Sequence, residues 1–288
     1  MTEHLSASAD AASQHVLQCM DIWSGNRSIE NEARAPGLEI FVYSQPYRGE
    51  ARGGDVHYVS LCAGGVLTRL ILADVSGHGE SVSETSRTLR TQMRRFINTK
   101  RQERLIHNLN REFTRLEQSG RFATAIVATY LSHRNRFTIC NAGHPRPLWY
   151  QSDTKTWSFV SRDLIDTGRV ANLPLGLDEA TEYQQFDLRV SDGDLLVLYT
   201  DAFIEASDAS GQLLGETGLQ KIVSDSPQDD LRRFGSAVLA GVRQFSEDRP
   251  AEDDVTLLVL RFSASKRRLP GIAEKLNAYA KLIGLKAD

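Results

Sequence analysis

The stretch VLTRLILADVSGHGES, residues 66–81, decides the architecture. From Val66 to Val75 it is apolar apart from Thr68, Arg69 and Asp74, the pattern of a buried strand. The strand stops on a carboxylate, and Ser76-Gly77-His78-Gly79 turns the chain. Over residues 79–97 the period changes: Val82, Thr85, Leu89, Met93 and Ile97 recur at helical spacing. A carboxylate, two glycines and a histidine at that junction can be a plain turn, or a metal site carried on a turn. The choice depends on whether other strands end in the same way.

Outward from this point the strand signals are frequent. VHYVSLC (56–62) precedes it across Ala63-Gly64-Gly65, a hairpin turn in which glycine tolerates positive φ. LEIFVYSQP (38–46) alternates as a strand does. Beyond the first helix, Leu105, Leu109, Phe113 and Leu116 mark a second. Strand patterns return at ATAIVATYL (123–131), RFTICNAG (136–143) and PLWY (147–150). Residues 151–182 are loop-rich. GDLLVLYTD (193–201) and DDVTLLVLRF (253–262) are strands, and Leu231, Phe234, Val238, Val242 and Phe245 mark a helix between them. Hairpin-spaced strands interrupted by helices in pairs predict an α+β domain of mainly antiparallel sheets covered by helices. Residues 1–36 are polar and Ala/Ser-rich, with a weak helical pattern around Val16, Met20 and Trp23, and read as a loose arm. Ile272, Leu276, Tyr279 and Ile283 mark a helix in a moderately basic extension over 264–288, whose default role is packing. The expected organisation is therefore an arm over 1–36, one domain over 37–263 and that extension.

Bulk properties narrow the function. With 288 residues, 41% hydrophobic and 25% charged, the chain can bury a sizeable core. A net charge of −3 gives no basic excess, which argues against nucleic acid or an anionic membrane as partner. Cys19, Cys62 and Cys140 are far apart and form no CxxC pair, so neither a disulfide framework nor a structural zinc site is expected. The N-terminus has no signal-peptide core and no run is long enough to cross a bilayer, so a soluble cytoplasmic protein is expected.

The carboxylates repeat the opening motif. Asp55 precedes the strand at 56–62, Asp74 ends the strand at 66–75, Asp201 ends the strand at 193–201, and Asp253 and Asp254 open the strand that follows them. One aspartate at a strand end is ordinarily a turn former or cap. Several beside apolar strands, two of them in Gly-rich turns, favour a shared site. Two like charges about 4 Å apart repel by about 4 kcal/mol at an effective dielectric near 20, so such a site needs a cation. Oxygen ligands without His or Cys select Mg²⁺ or Mn²⁺ over zinc, and two ions about 3.5–4 Å apart can activate a water and aim it at phosphorus.

GGD, ADVSGHG, FATAIVATY, NAGHPRPL, LPLGL, LYTDAFIEA and DDVTLLVL occur in the order found in the protein phosphatase 2C-like (PPM) metal-dependent phosphatases, and most resemble the bacterial SpoIIE-type branch. The resemblance spans roughly residues 37–263. It implies an αββα sandwich of two mainly antiparallel sheets flanked by helix pairs, binding two Mn²⁺ or Mg²⁺ ions. It implies that Asp55 and Asp74 bind or bridge the metals, that the main-chain carbonyl of Val75 is a ligand, and that Asp201 and Asp253 complete the set. The implied activity is a protein serine/threonine phosphatase, acting in a bacterial partner-switching pathway on a phosphorylated anti-sigma-factor antagonist. The helix pair at 79–119 resembles a regulatory switch, to be set by another protein or by self-association. Two departures stand out: Ala202 replaces a common glycine, and Asp254 stands where eukaryotic members carry Asn.

Other residues bear two readings. His78 fits a general acid or turn support. His144 fits a hydrogen-bonded structural histidine, and Thr124 and Asn141 the stabilisation of strand ends and turns. Thr256 could bond a ligating carboxylate or be an ordinary strand residue. Arg48 and Arg52 lie upstream of Asp55 without marking themselves as phosphate ligands. Rival functions are a non-catalytic phosphoprotein-binding scaffold and a metal-dependent hydrolase of small phosphate esters.

Overall fold

The computed structural model describes residues 15–18, 21–62, 66–77, 80–97, 99, 101–116, 120–161 and 170–263. The turn at 63–65, His78 and the extension at 264–288 lie outside them. The strands are β1 His15–Val16, β2 Ile22–Gly25, β3 Ile29–Ala35, β4 Leu38–Gln45, β5 Val56–Cys62 and β6 Leu67–Val75. The helices α1 Glu80–Phe96 and α2 Gln102–Leu116 follow. Next come β7 Ala123–Leu131, β8 Arg136–Ala142, β9 Leu148–Gln151, β10 Thr156–Phe159, β11 Phe186–Arg189 and β12 Leu195–Tyr199. The short α3 Ala202–Glu205, α4 Gly215–Asp225, α5 Leu231–Phe245 and β13 Val255–Phe262 complete the series.

Two sheets result. One has the order β1-β3-β4-β13-β12-β9-β10, the other β11-β8-β7-β6-β5-β2. Among the described residues, the pairings between these strands are antiparallel except β1 with β3. The side-chain period of two sorts each strand between two cores. On β6, Leu70 and Leu72 join Ile40, Val42, Leu258 and Leu260 between the sheets. Their neighbours Ile71 and Ala73 meet Val82, Leu89 and Met93 of α1 and Leu105, Leu109 and Phe113 of α2. On the far side, Phe41, Val197, Leu257 and Val259 pack under Leu219 and Val223 of α4 and Phe234 and Val238 of α5. This is the expected four-layer αββα sandwich, and it explains why its central strands read as nearly continuous apolar runs.

The segment read as a loose, weakly helical arm differs from that expectation. Ile22–Gly25 is the edge strand beside β5, and Ile29–Ala35 pairs along β4 with Ala33 opposite Ile40 and Ala35 opposite Leu38. Ala33 and Ala35 are buried while Glu30 and Arg34 are exposed, an alternation masked by small apolar and numerous charged residues. Backbone pairing with β4, not side-chain hydrophobicity, makes this strand. β10 within the loop-rich stretch, β11 and α4 also went unmarked in the sequence.

Candidate active site

The carboxylates meet because strand ends meet. In the β5–β6 hairpin, Val56 lies opposite Ala73, so Asp55 and Asp74 flank the pairing at one end. In the other sheet Tyr199 lies opposite Leu257, and the Thr200 N–H donates to the Thr256 carbonyl at 3.1 Å. That register sets Asp201 beside Asp253 and Asp254.

Asp254 joins the sheets. Its carboxylate accepts from the Tyr47 N–H at 2.6 Å, from the Gly54 N–H and, more weakly, from the Asp55 N–H at 3.4 Å. A Cβ on Gly53 would lie 2.4 Å from Asp254 Oδ1, so this approach requires glycine. Asp254 is buried, whereas Asp253 is partly exposed and accepts the Asp254 N–H through Oδ1 at 2.7 Å.

Asp55 is only 2% exposed. The Thr200 hydroxyl donates to its Oδ2 at 3.1 Å, and the Thr256 side chain also bonds its carboxylate. Thr256 further contacts Ser44 Oγ at 2.9 Å, so the strand threonine does hold a site carboxylate. Asp55 Oδ1, by contrast, is buried without a hydrogen-bond partner. Burial, then Asp74 and Asp254, push the Asp55 carboxyl well above the usual carboxylate range, against the pull of the two threonines. Asp74 is raised well above it by burial and by Asp201, Asp253, Asp254 and Glu205. Burial raises Asp201 too, opposed by main-chain amides and a hydrogen bond with Asp74. Glu205 is raised by burial, Asp201 and Asp253.

The predicted set Asp55, Asp74, Asp201 and Asp253 thus shares one electrostatic neighbourhood. The Val75 carbonyl adjoins it, 3.0 Å from where a Gly54 Cβ would stand. Among the described residues, three or more of these side chains are not gathered as a closed ligand set for a metal ion. They raise one another's carboxyls by like charge and so share a need for positive charge, and the all-oxygen donor set and the orphaned Asp55 Oδ1 suit a hard divalent cation.

Sequence reasoning missed Thr200 and Glu205. Glu205 follows Asp201 by four residues, a helical spacing that could have marked it. Nothing local marks Thr200, whose role depends on strand pairing. Thr124, directly opposite Asp74, bonds His144 Nδ1 at 2.8 Å, and Asn141 both donates to and accepts from the His144 main chain at 2.7 Å. His144 is the hydrogen-bonded structural residue expected. Arg48 is exposed at φ 49°, its guanidinium 4.9 Å from the Tyr47 ring centroid.

Comparison with known proteins bears on the family and the fold. The family model described as Stage II sporulation protein E (SpoIIE) matches residues 65–263. The phosphoserine phosphatase RsbU of Bacillus subtilis (strain 168) is 28% identical over 162 residues, 54% of this chain and 44% of RsbU, so the chain spans less than half of that relative. A crystal structure of the RsbU and RsbW domains of Rv1364c from Mycobacterium tuberculosis superposes with a TM-score of 0.67 at 22% identity, over 91% of this chain and 72% of that one. RsbX, solved in complex with magnesium, superposes at 0.59 and 15% identity over 82% of this chain and all of its own (100%). At these identities the structural likeness is one of fold.

Proposed function

The chain belongs to the stage II sporulation protein E (SpoIIE) family, and from that premise we propose that it is a metal-dependent protein phosphatase hydrolysing phosphoserine or phosphothreonine. The observation that carries this reading is the buried carboxylate group around Asp55 and Asp74, crowded by like charges and with Asp55 Oδ1 lacking a partner. Asp55, Asp74, Asp201, Asp253 and the Val75 main-chain carbonyl would hold two Mn²⁺ or Mg²⁺ ions. Such ions supply an activated water and neutralise charge on the phosphoryl group.

The chain's own residues prepare that place. Thr200 anchors Asp55 Oδ2 and Thr256 also bonds the carboxylate, while Oδ1 is buried without a hydrogen-bond partner. Asp254 ties the loop bearing Gly54 and Asp55 to the start of β13, fixing one sheet end against the other. Asp201, at the head of α3, brings Glu205 with it.

The likeness to RsbU supports a phosphorylated anti-sigma-factor antagonist as substrate, with control by another protein or by self-association through the 79–119 helix pair. Support for that control lies in α1 itself: Ser86 Oγ donates to the Gly53 carbonyl at 2.9 Å, so movement of α1 reaches the loop of Asp55.

Phosphate release from a phosphoserine peptide, with Mn²⁺ or Mg²⁺ and with EDTA, tests the reading. EDTA should stop release, and Asp74→Asn and Asp201→Asn should each abolish it while circular dichroism stays unchanged. Near-normal turnover in both variants overturns the assigned roles. Peptide binding without turnover indicates a scaffold, and a preference for nucleotides indicates a small-ester hydrolase.

A further inference from the structure

Five guanidinium groups gather on the shoulder of the carboxylate site. Arg87, Arg90 and Arg94 follow one another on α1 at spacings of three and four residues, on one face of the helix. Arg27, between β2 and β3, and Arg52, in the loop before Asp55, complete the group. Burial and then Arg52, Arg27, Arg87 and Arg94 hold the Arg90 guanidinium below its ordinary value. Arg27, Arg87 and Arg94 are exposed, and Arg52 and Arg90 are half-buried. Among the described residues, no carboxylate forms an ion pair with any of the five, whereas Arg95 and Arg115 on the same helix pair both reach Glu112.

The patch is built into the site's framework. Arg90 Nη1 donates to Asn26 Oδ1 at 3.5 Å. Asn26 is 2% exposed, and its Nδ2 donates to the Gly53 carbonyl at 3.2 Å and to Ser86 Oγ at 3.1 Å. Gly53 lies two positions before Asp55. The positive patch and the carboxylates therefore share one loop.

Like charges held together without partners cost free energy, and an anion brought from outside repays it. The chain is net negative at −3, so a local excess of five arginines runs against its overall sign. An acidic segment laid beside the site would supply the missing counter-charge. We propose that Arg27, Arg52, Arg87, Arg90 and Arg94 dock an acidic segment of the phosphoprotein substrate, outside its phosphorylated residue. This inference rests on the phosphatase reading for the identity of the occupant.

The test uses the full chain and the double variant R87E/R94E, whose altered residues are exposed. Two fluorescein-labelled phosphoserine peptides serve as probes, one flanked by Asp and Glu, the other by Lys and Arg. Binding is read by anisotropy and turnover by phosphate release. The wild-type chain should bind the acidic peptide more tightly than the basic one, and added salt should erode the difference. The variant should raise Kd and KM for the acidic peptide about tenfold and leave turnover of p-nitrophenyl phosphate unchanged. Equal Kd and KM for wild type and variant overturn the docking surface even if the peptide is hydrolysed. Arginine-dependent binding without hydrolysis upholds the surface and overturns the phosphatase reading. If a single-stranded oligonucleotide binds as tightly as the acidic peptide, with the same dependence on Arg87 and Arg94, the assignment to a protein segment is overturned.

Discussion

Asp253 and Asp254 are adjacent, chemically identical and differently used. Asp254 collects main-chain amides of Tyr47, Gly54 and Asp55, while Asp253 is partly exposed and raises the carboxyls of Asp74 and Glu205 by its charge. Asp254→Ala removes a side-chain acceptor shared by the Tyr47, Gly54 and Asp55 N–H groups and is expected to lower stability by about 3 kcal/mol, measured by urea denaturation. Asp253→Ala, which removes an acceptor of the single Asp254 N–H and relieves like-charge crowding, should lower it by less than about 1 kcal/mol. His144 gives a second prediction at this scale. Burial lowers its pKa to about 3, so the folded chain keeps it neutral while an unfolded histidine takes up a proton near pH 6.5. The stability it contributes is complete above about pH 6.5 and is lost as pH falls toward the folded value, about 2 kcal/mol by pH 5. Denaturation of wild type and His144→Gln between pH 7.5 and 5 should show a shallower loss in the variant.

At the scale of elements, α5 approaches its sheet at a glycine. A Cβ on Gly235 would stand 2.2 Å from Cε1 of Phe41, whose ring is wholly buried on β4. Alanine is normally the better helix former by about 1 kcal/mol, yet here Gly235→Ala should destabilise by about 2 kcal/mol through overpacking. A stabilising result by chemical denaturation would mean that α5 sits farther from the sheet. The helix itself was legible from Leu231, Phe234 and Val238, which recur on one face. Its neighbour α4 was not, because Leu219 and Val223 alone are too sparse to establish a period. β3 failed for the same kind of reason, its buried positions being alanines among charges.

For the whole molecule, the folded state gathers carboxylates that the unfolded chain keeps apart. The folded values of Asp55, Asp74, Asp201 and Glu205 lie above their ordinary ones, so ionising them weakens the fold. In EDTA this burden is greatest near neutral pH and lifts as pH falls toward the ordinary carboxylate range near 4. A divalent cation at about a hundred times its Kd should add about 2.7 kcal/mol at neutral pH, raising Tm by about 5–10 °C. Calorimetry should show that gain narrowing as pH falls. An absence of any Tm response to Mn²⁺ and Mg²⁺ would remove the basis for a metal site. Among the described residues no helix is long and apolar enough to cross a membrane.

The sequence by itself determined the alternation of strands and paired helices, and with it the layered class, because side-chain periods of two and about 3.6 are local properties. It also placed aspartates at strand ends, which suffices to suspect a shared site. Only the tertiary structure decided which of two neighbouring aspartates braces the loop, that Thr200 and Thr256 hold Asp55, and that arginines from two loops and a helix stand together. Those outcomes depend on strand register and on which sheet ends are stacked. Contacts such as that between Tyr47 and Asp254, 207 positions apart, leave no trace in any local window.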